Sequence, residues 1–173
     1  MCYYIFVCVT EDANNGTSVR EKERAVKSYK AIRDPKPSVL ILRCSDPRFR
    51  IAFRDFTAEE LGLAQGEFVP INVAGGPAAL AHQKAKPEDF HYLMSQIKFF
   101  LEHFDTIRKV VLVGHQNCGY YKTIDHPDKE DKEKKDLPRA TDILLHHMPG
   151  IKVESYYARF SDESRAEIVF EKC

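Results

Sequence analysis

The sequence predicts an α/β fold: a mainly parallel central sheet of about four strands with an antiparallel edge strand, and helices packed on it. Three observations predict it. Two aliphatic runs, VLILRC at 39–44 and KVVLVG at 109–114, have the composition of strands buried on both faces. A long amphipathic segment, Pro87–Phe104, lies between them as a crossover helix. Two alternating runs around a polar turn close the chain, as a hairpin does.

The elements follow in order. Met1–Val9 (MCYYIFVCV) is apolar, has no basic start and is far too short to span a bilayer. It reads as a strand or arm that packs on the domain or on a second subunit. Ala13–Thr17 is a turn. Ser18–Ile32 reads as a helix capped by Ser18 with Glu21, and the Asp34-Pro35-Lys36-Pro37 stretch stops it. The first core strand ends at Cys44. Phe49–Leu63 reads as two short helical pieces, with Thr57 and Glu60 forming a capping box for the second. Gly66 turns the chain into a strand over Glu67–Val73. The exit of that strand, Ala74-Gly75-Gly76-Pro77, lets the backbone come close to a neighbour and starts a helix. It is either an anion site at a helix N-terminus or a tight connection with no ligand.

Phe90, Leu93, Met94, Ile97, Phe100, Leu101 and Phe104 recur at three- and four-residue steps, so this stripe is core. Asp125–Asp136 is a mixed charge run, read as a solvated loop or frayed helix. Arg139–Met148 is a short helix ended by Pro149-Gly150. Ile151–Phe160, a turn at Ser161–Ser164, and Arg165–Glu171 form the closing hairpin.

At 173 residues the chain reads as one domain, residues 1–173, with 1–34 as an N-terminal arm and helix. Lysine plus arginine and aspartate plus glutamate both number 26, so no net field favours nucleic acid or an anionic membrane. Five cysteines without regular spacing argue for reduced thiols and a cytoplasmic location. Cys2, Cys8 and Cys173 have no partner at ligand spacing.

The chemistry concentrates at the ends of the two aliphatic runs, where open α/β sheets bind ligands. Cys44, Asp46 and Arg48 follow the first, and His115 and Cys118 follow the second. Cys44, His115 and Cys118 make a Cys2His set with one position open, the composition of a catalytic zinc (Zn2+) site.

Cys-x-Asp-x-Arg at one strand end with Gly-His-x-x-Cys-Gly at another resembles the β-class carbonic anhydrases. Leu61–Gly76 and Val153–Val169 are also similar to segments of that family, so the likeness runs from about Pro35 to the end. It implies zinc-dependent, reversible hydration of carbon dioxide to bicarbonate by a zinc lyase, with zinc-bound hydroxide as nucleophile and a homodimer or higher homo-oligomer as the assembly. Asp46 and Arg48 are then the catalytic pair, with Asp46 a fourth zinc ligand in a closed state. Gly75, Gly76 and Gly119 are expected near the substrate. Two thiolates cancel the charge of the ion, so such a site depends on Asp46 to orient the water, with Arg48 keeping Asp46 ionised.

The chain departs from the family where Ile71 stands at a position commonly arginine, and where Tyr120 and Tyr121 follow Cys118-Gly119. Tyr120 either narrows the pocket or packs as core. Three other functions fit the same residues: hydrolysis of carbonyl sulfide or carbon disulfide, non-catalytic zinc or bicarbonate binding, and a redox pair of Cys44 with Cys118. His82, His91, His103, His126, His146 and His147 offer no distinct proton shuttle.

Overall fold

A computed structural model of the chain describes residues 29–124 and 132–173. The chain divides into two compact units, Met1–Ala31 and Ile32–Cys173. Only Tyr29–Ala31 of the first is described, and the fold below is that of the second. The apolar Met1–Val9 segment, the Ala13–Thr17 turn, the capping box at Ser18, Cys2, Cys8 and His126 all lie outside the described residues. The helix expected over Ser18–Ile32 has no helical residue in its described part, Tyr29–Ile32. Asp34 follows at a φ of +51°, and its position before Pro35 disfavours helical geometry.

Five strands form one sheet in the order β2-β1-β3-β4-β5. They are β1 (Val39–Cys44), β2 (Phe68–Val73), β3 (Lys109–His115), β4 (Lys152–Phe160) and β5 (Ile168–Lys172). β1 runs parallel to β2, with Cys44 opposite Val73, and parallel to β3 on its other side. β3 is parallel to β4, and β5 closes the edge antiparallel to β4, as the hairpin reading requires. The mainly parallel sheet with an antiparallel edge is therefore the observed fold.

The aliphatic runs are buried on both faces because helices cover both. Leu40, Leu42, Val110 and Leu112 pack with α3 (Pro87–His103) and α4 (Lys132–His147). Val39, Ile41, Val111 and Val113 pack with Phe49, Phe53 and Phe56 of α1 (Arg50–Glu59) and its approach. Alternate residues of each strand thus serve opposite layers.

From β1 the chain passes to β2 on one side. It then returns over β1 to β3 on the other. The connections leaving β1 and β3 diverge, which opens a crevice at the carboxyl ends of these neighbours. Cys44 ends β1 and His115 ends β3.

Two helices differ from expectation. The stretch Phe49–Leu63 holds one α-helix, α1 (Arg50–Glu59), not two: Thr57 is buried and its Oγ1 donates to the Phe53 carbonyl one turn back (2.7 Å) instead of capping a new start. Gly62, at a φ of +64°, turns the chain out afterwards. α4 begins at Lys132, seven positions before the expected Arg139, so the end of the charge run is helical. Glu133 and Asp136 lie on the same face as Leu137, Ala140 and Leu144 and are buried with them. Two acids at core positions hid the helical period.

The β2 exit is tight. Gly75 and Gly76 have φ values of +80° and +54°. A Cβ at Gly75 would stand 2.5 Å from Cγ of Tyr120, and one at Gly76 would stand 2.7 Å from the Cys44 backbone nitrogen. The close approach these glycines allow is to Tyr120 and to β1. The helix after them, α2 (Ala78–Ala81), has four buried residues, too short and too enclosed for the anion site considered there. Gly76→Ala is expected to cost about 1–3 kcal/mol through its backbone angle and the β1 contact, measured as a lower urea midpoint. An unchanged midpoint would mean β1 can shift freely at Cys44.

Candidate metal centre

Cys44, His115 and Cys118 are all buried, and one ligand atom from each lies within 4.8 Å of the others. The two sulfurs are 3.9 Å apart and both thiols are free. Two thiolates bound to one tetrahedral zinc at ~2.3 Å would stand about 3.8 Å apart, so the spacing fits a shared ion.

His115 is aimed by its surroundings. Its Nδ1 lies 3.0 Å from the Gln116 carbonyl oxygen, and a carbonyl only accepts, so Nδ1 carries the proton. Nε2 is then a lone-pair donor, buried and without a hydrogen-bond partner. Leaving such a nitrogen bare costs free energy unless something binds it. The ring is held by Phe49, whose centroid is 4.3 Å away. A hydrogen-bonded Nδ1 with a free Nε2 is the arrangement of a metal-ligating histidine.

The sulfurs are prepared in the same way. The Asp46 backbone N–H supports Cys44, and the Tyr120 backbone N–H supports Cys118. The hydrogen bond with Cys118 is the largest cause pushing the Cys44 thiol down, and the same bond pushes Cys118 up. These three residues therefore fit a zinc ion.

Asp46 stands beside the group. Its Oδ2 is 3.9 Å from His115 Nε2. Its Oδ1 accepts the Arg48 backbone N–H (3.0 Å), and the Arg48 guanidinium adds Nε and Nη2 contacts, the shortest 2.6 Å. Arg48 Nη2 also donates to the Asn117 carbonyl (2.9 Å), so one side chain ties the β1 loop to the β3 loop. Asn117 presents that carbonyl at a φ of +57°. The Arg48 hydrogen bonds hold the Asp46 carboxyl at about 2, well below its usual range.

Solved structures similar to this one are β-carbonic anhydrases. Isoform I from Trichomonas vaginalis matches with a TM-score of 0.51 at 12% identity, over 83% of this chain and 87% of that one. Tetrameric β-carbonic anhydrases from Sordaria macrospora match at 0.46 and 16%, over 80% and 82%. The β-carbonic anhydrase of Aspergillus fumigatus matches at 0.47 and 14%, over 80% and 76%. The fold is that of the β-carbonic anhydrases. No family model and no curated protein matches the sequence.

Within this β-carbonic anhydrase fold, α4 supplies residues that the sequence reading missed. Glu133 Oε1 accepts the Cys118 backbone N–H (3.1 Å). Asp136 Oδ2 accepts the Tyr121 hydroxyl (2.9 Å) and lies 2.5 Å from His82 Nε2. Their signal was available as acids three apart, in phase with Leu137, Ala140 and Leu144. Tyr120 packs: its ring covers Gly75 and its hydroxyl donates to Asp89 of α3 (2.8 Å). Gly119 faces open space and lines a cleft of about 820 Å3 together with Asp46, Arg48, Cys118 and Glu133. No helix among the described residues is long and apolar enough to cross a membrane.

Proposed function

We propose that this protein is a zinc lyase that hydrates carbon dioxide reversibly to bicarbonate. The observation that carries the reading is the buried, unpartnered His115 Nε2 facing two thiols at zinc spacing, with a clamped Asp46 carboxylate 3.9 Å from it. Cys44, His115 and Cys118 hold the ion in this reading. When bound, zinc supplies Lewis acidity that brings water ionisation toward neutral pH.

The chain's own residues do the rest. Asp46 accepts a hydrogen bond from the attacking water and turns its lone pair toward the carbon of the substrate. Arg48 keeps Asp46 anionic and, through Asn117, holds it away from the three ligands. Glu133 and the Gln116 carbonyl fix the backbone of Cys118 and the tautomer of His115. Gly119, with no side chain, leaves the cleft open for substrate and for release of bicarbonate. The exposed Ile51, Tyr92 and Phe99 offer apolar surface to the homodimer or higher homo-oligomer that belongs to this reading.

Stopped-flow hydration of carbon dioxide by zinc-loaded protein tests the proposal. A zinc-dependent acceleration removed by chelation is the expected result. Zinc-loaded protein that turns over carbonyl sulfide but not carbon dioxide would move the substrate. Loaded protein inert to both would overturn the enzymatic reading.

A further inference from the structure

We propose that Tyr120 is a positioning residue for the Cys118 sulfur: its side chain, strapped to α3 at Asp89, holds in place the backbone N–H that supports that sulfur. The Tyr120 N–H donates to the Cys118 sulfur. Where the Tyr120 backbone sits is therefore part of the geometry of the thiol. Tyr120 is also one of the positions at which the chain departs from the β-carbonic anhydrase pattern. The inference rests on the proposed function through the zinc reading of Cys118.

The turn after Cys118 is held from outside. Gly119 separates Cys118 from Tyr120, and a Cβ there would meet nothing within 4 Å, so no packing stiffens the link. Glu133 Oε1 accepts the Cys118 N–H and fixes the incoming peptide. On the outgoing side, the Tyr121 N–H reaches the Cys118 carbonyl at 3.3 Å, long for such a bond. The two tyrosine hydroxyls strap this turn to different helices. Tyr121 donates to Asp136 of α4 (2.9 Å), and Tyr120 donates to Asp89 of α3 (2.8 Å).

The Tyr120 ring packs against the group that contains Cys44, Cys118 and Tyr121. It also borders a pocket of about 200 Å3 lined by Val73, Ala79 and Leu93. That space gives the ring room to swing, so packing alone does not fix it, and the hydrogen bond to Asp89 supplies the restraint. A donor on a thiolate lowers the energy of its lone pairs and holds them in one direction. Outer partners of this kind tune a metal centre through the ligand they touch.

The test loads the full chain with cobalt(II), whose absorption reports on its thiolate ligands, and reads cobalt affinity by competition with a chelating dye. Tyr120→Phe keeps the ring and removes only the hydroxyl. It is expected to move the sulfur-to-cobalt charge-transfer band to longer wavelength, because a sulfur with a weakened N–H bond gives up electron density more readily. It is also expected to weaken cobalt binding about fivefold, the loss of one hydrogen bond. Asp89→Ala is expected to do the same, and the double variant no more than either, since both remove one interaction. Asp89→Asn keeps an acceptor oxygen for the hydroxyl and is expected to change both readouts less than Asp89→Ala. Thermal unfolding is no substitute, because Asp89 lies in the first turn of α3, where an acid stabilises the helix whatever it holds. A band and an affinity unchanged in Tyr120→Phe, additive losses in the double variant, or equal losses in Asp89→Asn and Asp89→Ala would each overturn the inference. A parent chain that takes up no cobalt overturns the metal reading and this inference with it. A cobalt-loaded parent with an unresponsive Tyr120→Phe overturns this inference alone.

Discussion

Cys118→Ser is expected to leave the protein folded and strip it of zinc. Serine nearly matches cysteine in size, so the packing around Ala78, Tyr121 and Ile124 should survive. The hydroxyl keeps its proton at neutral pH and is a poor ligand beside a thiolate. Removing one thiolate also leaves the bound ion with a net positive charge in a buried site. Structural zinc sites are worth about 10–16 kcal/mol in total. The loss of one of three protein ligands should therefore cost at least about a hundredfold in affinity. Metal analysis after dialysis against a mild chelator reads the effect, with thermal unfolding of the metal-free proteins as the control for folding. Full zinc retention by the variant would remove Cys118 from the ligand set and, with it, the case for a three-residue centre.

Asp46→Asn separates metal binding from turnover. Asparagine has the same shape, so zinc content should be unchanged. The amide is uncharged, however, and offers a single acceptor oxygen. The Arg48 guanidinium, now facing an amide, loses its charge partner, and the link to Asn117 loosens. Turnover should fall by about 10²–10⁴, the range for a group that positions or moves a proton in the transition state. A variant with normal zinc and normal turnover would take Asp46 out of the mechanism. The same pair has a pH signature. The folded pKa of Asp46, about 2, lies below the ordinary value of about 3.9. Its contribution to stability is thus present above about 4 and is lost as the pH falls through about 2. Acid unfolding of Asp46→Asn should lack that component.

Some of this was readable from residues alone. β1 and β3 were, because a strand covered by helices on both faces must be aliphatic along its whole length, as VLILRC and KVVLVG are. α3 was, because Phe90, Leu93, Met94 and Ile97 mark one inward face at helical spacing. Local chemistry misled elsewhere. Thr57 carries a capping signature, yet it sits inside a continuous helix, because Phe53 and Phe56 bury the face it shares. The first turn of α4 was hidden because Glu133 and Asp136 occupy inward positions, and what makes them tolerable comes from far along the chain. That compensation is the Cys118 amide for Glu133, and the Tyr121 hydroxyl and His82 for Asp136.

The sequence by itself determined which thiol, imidazole and charged side chains stand at the carboxyl ends of two strands. Residue type and short spacing are local properties, and Cys44, Asp46, Arg48, His115 and Cys118 lie within a few residues of aliphatic runs that could only be strands. Only the tertiary structure decided how those groups are poised. The crossover that makes β1 and β3 neighbours brings the sulfurs to 3.9 Å. The same adjacency lets Arg48 reach Asn117 across 69 positions of chain. It leaves His115 Nε2 bare and sets Arg43 beside Asn72 on the next strand. Such contacts depend on sheet order and register, which no local pattern of residues encodes.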